Sequence, residues 1–462
     1  MIFSSALFLF AFLPLTIFVY YLIPAKYLTG RNIALLCASL IFYAWGEPKN
    51  IALMLLSIVC NYLFGILLGK FEGQKNRRKL VLTLAVVFNL GLLGYFKYWN
   101  FFTAGMLWKV SLPIGISFYT FQIMSYVIDV YRGEVAVQRS IYKVGLYLTL
   151  FPQLIAGPIV RYIDVEKELS NRTCDLQKFA KGVRRFIVGF SKKILIANVT
   201  ALVADTIFGM DTRPAATAWL GIICYALQIY FDFSGYSDMA IGMGWMFGFN
   251  FLENFDYPYI STSVREFWRR WHMSLSTWFR DYLYIPLGGN RKGTARTYIN
   301  LLIVFACTGF WHGASWNFLI WGLYHGLFLV IERVGFGKIL DRLPKFIGHI
   351  YTLLIVLFGW VFFRADTLGG AVKYLGEMFN FANFGITNAL SQLDNLQSLT
   401  IFIGIIACMP VVKYLAKLLK SRGEGGEATV NVLSTAATAA MFCFAIICLT
   451  GSDYNPFIYF RF

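Results

Sequence analysis

Charged residues are scarce in this 462-residue chain. They make up 14% of it, against about 25% in an average soluble protein, whereas hydrophobic residues make up 58%. This composition excludes a water-soluble enzyme. Several apolar runs reach the length of ~20 residues that a helix needs to cross a bilayer. The sequence therefore predicts an all-α polytopic membrane protein, and its first spans are expected at residues 2–23, 32–45, 50–69 and 80–98.

Acidic residues are fewer than basic ones. There are 24 Asp and Glu against 41 Lys and Arg, which gives a formal net charge of +17. The cations cluster in short loops between apolar spans, as in residues 70–79, and cytoplasmic loops of membrane proteins carry such an excess. We therefore exclude nucleic acid as a partner, assign this loop to the cytoplasm and expect the N-terminus outside.

Cysteine pairs and several well-known catalytic motifs are absent. The eight cysteines include no CxxC pair, and most lie in apolar segments, so we expect buried thiols and neither a disulfide framework nor a metal site. The sequence also lacks a phosphate-cradling GxxxxGKS/T motif, HExxH and GxSxG. These motifs therefore give no support to a P-loop NTPase, a zinc protease of that type or an α/β-hydrolase.

Histidine is rare as well, with four residues in the chain. His312 lies in the aromatic sequence Gly309-Phe-Trp-His-Gly-Ala314, and His272 lies in Phe267-Trp-Arg-Arg-Trp-His272. Burial favours the neutral imidazole, which can accept a proton at physiological pH, and an ionisable group inside a membrane segment is costly enough to indicate a function. We interpret His312 as a candidate base. The alternative is a histidine that only hydrogen-bonds a neighbouring helix, and we interpret His325 and His349 as structural.

A base that catalyses acyl transfer to a hydroxyl needs other polar groups near it. The base removes the hydroxyl proton as the oxygen attacks a carbonyl, and other groups stabilise the negative charge that develops there. His272 is a candidate for orienting the acceptor or the donor. The candidates for supporting either histidine are Asp232, Asp238, Trp271 and Trp311. Guanidinium groups bind phosphate well, so four arginines are candidate contacts to a nucleotide-bearing donor: Arg265, Arg269, Arg270 and Arg280. Buried ion pairs are the alternative for these acids and arginines.

The rest of the chain continues as membrane helices. Residues 110–122 and 151–162 are apolar but contain Pro and Gly, and irregular backbone at membrane depth is tolerated only inside protein or beside a water-filled cavity. Residues 176–202 mix cations with apolar residues and indicate an amphipathic helix at the cytoplasmic surface that then turns inward. We expect about eleven or twelve transmembrane helices plus shallow amphipathic ones, in one domain with N-terminal helices (1–110), a motif-bearing core (111–335) and C-terminal helices with an aromatic tail (336–462).

Four motifs in order give the chain a resemblance to a known family. They are Phe151-Pro-Gln-Leu-Ile-Ala-Gly-Pro-Ile-Val-Arg161, Phe231-Asp-Phe-Ser-Gly-Tyr-Ser-Asp238, Phe267-Trp-Arg-Arg-Trp-His272 with Trp278-Phe-Arg-Asp-Tyr282, and Gly309-Phe-Trp-His-Gly-Ala314. From about residue 112 onward the chain resembles the membrane-bound O-acyltransferases. The resemblance is closest to the bacterial branch that includes the membrane subunits of alginate and peptidoglycan O-acetyltransferases.

The resemblance implies a fold and a reaction. It implies a ring of membrane helices around a central funnel or tunnel, in a bacterial cytoplasmic (inner) membrane. His312 matches the catalytic histidine of the family, and His272 matches a second polar position that is Asn or His in different branches. Acetyl-coenzyme A would donate from the cytoplasm, with no permanently bound cofactor, for O-acetylation of an extracytoplasmic polysaccharide such as alginate or peptidoglycan.

The aromatic C-terminal tail, residues 453–462, raises a further hypothesis. Free termini are usually polar, so this one could fold back into the funnel, where Tyr459 would carry the acetyl group as an ester, as a similar tail in the related teichoic-acid D-alanylation machinery suggests. Packing or partner docking is the alternative. Because we see no soluble domain to hold a polymer, we expect a separate extracytoplasmic SGNH-type or esterase-like acetyltransferase to complete the transfer. The rival functions are D-alanyl transfer to teichoic acid, and a transporter or flippase without covalent chemistry.

Overall fold

The computed structural model describes residues 3–104, 106, 108–155, 157–451 and 454–456. All regular structure within these ranges is helical, which confirms the all-α polytopic class. The chain forms two compact units. Unit 1 comprises residues 1–186 and 236–253, and unit 2 comprises residues 187–235 and 254–462. The expectation of one domain stays a prediction.

Unit 1 is built around a helix that is buried on nearly all sides. This helix, α5, begins after Gly115, whose φ of +76° favours glycine, and every residue from Ile116 to Val127 is buried. Two hydrogen bonds between the amides of Asn61 and Asn89, of 3.0 and 2.7 Å, join α3 to α4. Unit 1 contains α1 (Phe8–Leu22), α2 (Leu28–Gly46), α3 (Ile51–Lys70), α4 (Lys75–Phe102), α5 (Ile116–Arg132), α6 (Ile141–Thr149), α7 (Phe151–Leu154), α8 (Tyr162–Ser170), and parts of α9 (Leu176–Phe208) and α10 (Ala215–Met246).

Unit 2 contains both motif histidines. The chain passes between the units inside α9 and α10. After a 3-10 turn at Pro258–Ile260, unit 2 continues with α11 (Val264–Arg270), α12 (Met273–Phe279) with a π-helical turn at Arg280–Tyr284, α13 (Thr294–His312), α14 (Trp316–Leu340), α15 (Lys345–Arg364), α16 (Leu368–Met378), a 3-10 turn at Phe381–Asn383, α17 (Ile386–Leu390), α18 (Asn395–Ala407), α19 (Val411–Lys420) and α20 (Glu424–Thr450).

The short helix α11 is defined by its first residues. The hydroxyl of Ser263 accepts a hydrogen bond from the backbone N–H of Glu266 at 3.0 Å. The Glu266 carboxylate in turn accepts from the backbone N–H of Thr262 at 2.9 Å. Ser-x-x-Glu is the sequence pattern of a capping box, which satisfies N–H groups at a helix start. This cap fixes where α11 begins and hence where His272, two residues beyond its end, is placed.

The number of membrane-spanning helices is lower than the sequence predicts. Within the described residues eight helices are long and apolar enough to cross a bilayer, or nine if α18 and α19, bent by 60°, form one span. The eleven or twelve expected include apolar segments that form shorter or more polar helices. Helix α5 has 17 residues, and α13 contains Arg296, Asn300 and Thr308. The central funnel stays a prediction.

Candidate functional site

Helices α13 and α14 form a hairpin with close backbone contact. A Cβ atom at Gly309 would collide with the carbonyl oxygen of Phe318, and one at Gly322 would collide with that of Phe305. Glycine is required where two backbones approach this closely, so the motif around His312 serves packing as well as chemistry. The turn at residues 313–315 reverses the chain. His312, the last residue of α13, therefore lies at the turn end of the hairpin.

His312 is enclosed by aromatic rings and is 4% exposed. Its ring centroid lies 5.0 Å from that of Trp311, 5.1 Å from that of Trp321 and 5.2 Å from that of Phe363, each in an edge-on arrangement. Edge-to-face contacts are a preferred geometry of aromatic pairs. These rings therefore hold the imidazole in one orientation and separate it from bulk water.

His272 is held by a strained backbone and a hydrogen bond. It joins α11 to α12 with φ 46° and ψ 52°, a left-handed conformation that costs a residue with a Cβ about 1–2 kcal/mol. Its Nδ1 lies 3.3 Å from the side-chain oxygen of Asn254. The same oxygen accepts from the backbone N–H of Ser274 at 3.2 Å and from its hydroxyl at 2.9 Å. Because that oxygen only accepts, we assign the imidazole proton to Nδ1.

The assignment leaves a lone pair on Nε2 of His272. Burial lowers the pKa of His272 to about 3, because a charged imidazole loses its hydration inside the protein. The ring is therefore neutral at physiological pH. Nε2 is buried, and it has no hydrogen-bond partner among the residues that the structure describes. It can accept a hydrogen bond from a substrate hydroxyl or from a donor group.

The two histidines lie side by side in unit 2. Their ring centroids are 6.4 Å apart, and the ring of Trp311 lies 6.1 Å from that of His272 as well as against His312. The two imidazoles and the Trp311 indole therefore form one buried cluster.

The two candidate tryptophans lie in different surroundings. Trp311 contacts both histidines. Trp271 instead packs against other aromatic rings, including Trp360 at 4.9 Å, Phe255 at 5.1 Å and Phe267 at 5.5 Å between centroids. Trp271 thus belongs to the aromatic packing beside α11. Support of the histidines by an indole N–H stays a prediction.

The two candidate aspartates form ion pairs. Asp232 pairs with Lys193 at 2.9 Å, and both side chains are almost fully buried. Asp238, in unit 1, lies 2.6 Å from Arg185, which also binds Glu253. Both acids thus match the alternative of a buried ion pair, and their support of a histidine stays a prediction. Lys193 lies in the second half of α9, which is packed inside unit 2, in the segment where the sequence predicts a surface helix that turns inward.

The four candidate arginines separate into two pairs. Arg270 is bound to Glu266 and to Asp256, at 3.0 Å each, and Arg280 is bound to Asp281 at 2.7 Å. Those two cations are already neutralised by carboxylates. Arg265 and Arg269 are exposed and line a cavity, and neither forms an ion pair with any residue that the structure describes.

Tyr459 lies outside the described residues, but a short described stretch of the same tail lies against α9. The hydroxyl of Tyr454 donates a hydrogen bond of 2.7 Å to Asp205, and Nζ of Lys193 donates to the backbone carbonyl of Pro456. Lys193 therefore contacts both the tail and the buried aspartate on α10. The stretch at 454–456 is folded back onto unit 2.

Two further residues of this region, Asn254 and Glu332, were not predicted from the sequence. Asn254 lies between Glu253 and Phe255, and no spacing connects it to His272. Glu332, in contrast, had a detectable signal, since an acid within an apolar helix is rare without a role. Its carboxylate accepts hydrogen bonds from the backbone N–H groups of Val264 at 2.6 Å and of Arg265 at 3.0 Å, so it holds the first turn of α11.

The cysteines differ in part from expectation. All eight are free thiols, and the described residues contain no group of three or more His, Cys, Asp or Glu side chains arranged to hold a metal ion. Cys224 and Cys408 are buried as predicted, whereas Cys37, Cys307 and Cys443 are exposed. Lipid tails are as apolar as a protein interior, so a small apolar side chain on a membrane helix need not be buried in protein.

Comparison with known proteins decides the family. The model of the membrane-bound O-acyltransferase family matches residues 42–365. The chain belongs to this family. It is therefore a multi-pass membrane protein and an O-acyltransferase.

Three relatives within or near this family show the range of named activities. The chain is 42% identical to "Probable alginate O-acetylase AlgI" of Pseudomonas putida, over 100% of both chains. It is 32% identical to "Peptidoglycan O-acetyltransferase" of Helicobacter pylori, over 100% of this chain and 98% of the relative. It is 30% identical to "Teichoic acid D-alanyltransferase" of Bacillus subtilis, over 47% of this chain and 58% of the relative.

Proposed function

We propose that this O-acyltransferase takes an acetyl group from acetyl-coenzyme A at the cytoplasmic side of a bacterial inner membrane. The acetyl group is delivered for O-acetylation of an extracytoplasmic polysaccharide, such as alginate or peptidoglycan. The observation that carries the proposal is the pair of buried imidazoles, 6.4 Å apart, one of which has a free Nε2. The names of the full-length relatives favour acetyl over other acyl groups. The excess of cations in loop 70–79 supports a cytoplasmic position for this loop and an outside N-terminus.

In the proposed reaction, His312 is the general base. It accepts the proton of the acceptor hydroxyl while the hydroxyl oxygen forms a bond to the acetyl carbonyl carbon. The carbon–sulfur bond of the thioester then breaks, and the proton passes to the departing sulfur, so that coenzyme A leaves as a thiol. Nε2 of His272 accepts a hydrogen bond from a second N–H or O–H group of the bound substrates and so helps to orient them.

The first acceptor in this proposal is Tyr459, whose acetyl ester would then be passed to an extracytoplasmic SGNH-type or esterase-like partner. The contact of the neighbouring stretch 454–456 with Lys193 and Asp205 supports a tail that folds back onto unit 2. Replacing Tyr459 by Phe removes the hydroxyl and keeps the ring. Loss of polymer acetylation is expected, and full acetylation by Tyr459→Phe would exclude the relay.

The direct test is acyl transfer by the detergent-solubilised chain with radiolabelled acetyl-coenzyme A. The wild type should release coenzyme A and label its acceptor, and His312→Ala should do neither while unfolding at a similar temperature. His349→Ala is a matched control, because His349 is half-buried on α15 and its Nδ1 lies 3.2 Å from the backbone oxygen of Ser261. A transporter without covalent chemistry would function normally as His312→Ala, and that result would refute the proposal. A D-alanyl thioester, added in competition with acetyl-coenzyme A, tests the rival function of D-alanyl transfer.

A further inference from the structure

A cavity of about 610 Å³ lies in unit 2 between α11 and the ends of α13, α14 and α15. Its volume lies within the range of ~300–1,000 Å³ that is typical of small-molecule sites. Thr262 and Ser263 form part of its wall where α11 begins, Leu301 and Leu329 contribute apolar surface, and Gly348 borders it on α15.

The cavity is surrounded by cations. Five basic side chains line it, and only two acidic ones, Glu332 and Asp341, do so. Both oxygens of Glu332 accept backbone N–H groups of α11, so this carboxylate is already engaged in the wall. All five cations are exposed, and none forms an ion pair with a described residue: Arg265, Arg269, Arg333, Lys338 and Lys345.

Five like charges around one cavity repel one another unless an anion lies between them. Arginine forks and lysine ammonium groups are the side chains that bind phosphate oxygens most effectively. We propose that this cavity binds the phosphate groups of a polyanionic ligand. The ligand is either the nucleotide end of the thioester donor, which rests on the proposed function, or the headgroup of an anionic phospholipid.

The position of the cavity along α13 fits a donor that is long and flexible. Leu301 lies eleven residues before His312 on the same helix, which corresponds to ~16 Å along the helix axis. A coenzyme A thioester carries its phosphates and its acyl group at opposite ends of a flexible arm, so one molecule could occupy both places. The loops at this end of the hairpin are rich in Lys and Arg, at residues 291–296 and 333–345, as expected of a cytoplasmic side.

The test is a binding measurement that does not depend on catalysis. Coenzyme A is titrated calorimetrically into the full-length protein carrying His312→Ala, in detergent. The cavity variant combines Arg333→Gln, Lys338→Gln and Lys345→Gln. The matched control combines Arg291→Gln, Lys292→Gln and Arg296→Gln, which removes the same charge from exposed residues of the same face that do not line the cavity. A parallel arm measures the rise in unfolding temperature on adding phosphatidylglycerol or phosphatidylcholine.

The outcomes separate the two sources. A loss of coenzyme A affinity of about tenfold or more in the cavity variant alone identifies the donor. An unchanged coenzyme A affinity, with loss of the specific stabilisation by phosphatidylglycerol, identifies a lipid headgroup. Equal responses of the cavity variant and its control, or no response of either, would overturn the proposal. Since binding is measured without transfer, failure of the proposed acetyl transfer leaves this result standing.

Discussion

His312 and His272 lie next to each other, but different interactions hold them. His312 ends a regular helix and is fixed by the rings of Trp311, Trp321 and Phe363. His272 lies in a break between two short helices, in a left-handed conformation, and is fixed by Asn254. A hydrogen bond to a fixed acceptor selects one tautomer of His272. In the proposed reaction His312 takes the proton, and His272 helps to orient the substrates.

The largest expected difference between the two histidines is in rate. His312→Gln should lower the initial rate of coenzyme A release by about 10²–10⁴-fold, the usual contribution of a general base. His272→Gln should lower it by about tenfold, since loss of one orienting hydrogen bond costs about 1–1.5 kcal/mol. The rates are measured at saturating donor on membranes with equal amounts of protein. Equal losses in the two variants would remove the distinction between base and orienting residue.

The next effect is on the pH dependence of stability. The pKa of His272 is about 3 in the folded protein and about 6.5 when unfolded. Its contribution is therefore fully present above about pH 6.5 and is lost as the pH falls, because only the unfolded state then binds the proton. At pH 5 the wild type should have lost about 2 kcal/mol from this residue.

The measurement for that effect is the free energy of unfolding of wild type and His272→Asn at pH 8 and pH 5. Asn has no titrating group, so the stability of the wild type relative to the variant should fall by the stated amount between these values. Parallel pH profiles for the two proteins would show that His272 is not buried in its neutral form.

A smaller effect on stability distinguishes the backbone conformations at positions 272 and 312. At position 272 both His→Ala and His→Gly remove the ring, but Gly should leave the protein about 1 kcal/mol more stable, because Ala keeps the left-handed strain. At position 312, at the end of a helix, the order should reverse by up to ~1 kcal/mol, because Gly is the poorer helix former. Thermal unfolding of the four variants tests this, and the same sign at both positions would contradict the strain at His272.

The smallest expected effect concerns the residue that positions His272. Asn254→Ala should slow transfer about fivefold through the loss of one hydrogen bond, and Asn254→Asp should preserve the acceptor. A carboxylate beside His272 favours its charged form, so the acidic limb of the rate profile should move to higher pH in Asn254→Asp only. A purely structural role for Asn254 predicts no such movement, and the profile would then match that of the wild type.

The sequence predicted the all-α fold class, because apolar runs are local signals. Its aromatic motifs drew attention to His272 and His312, whose roles stay predictions. It did not predict Asn254, whose partner is brought close only by the tertiary fold. The ion pair of Arg270 has a local signal, since Glu266 lies four residues before it on α11 and such pairs meet on a helix. The burial of Lys193 was not predicted, because a cation beside other cations resembles a solvated surface and its partner Asp232 lies on another helix. Tertiary ion pairs of this kind leave no local pattern.

Glu332 links the two supports of the site. Its own hairpin carries His312 at the turn, and its carboxylate is bonded to the start of α11, which ends two residues before His272. At Gly309 and Gly322 the backbones of α13 and α14 approach each other with no room for a side chain between them. We therefore expect α13 and α14 to move as one rigid body. The carboxylate of Glu332 would transmit that movement to the start of α11. The distance between the two imidazoles therefore depends on connected elements. A displacement at the cation-rich end of the hairpin would shift His312 and His272 together.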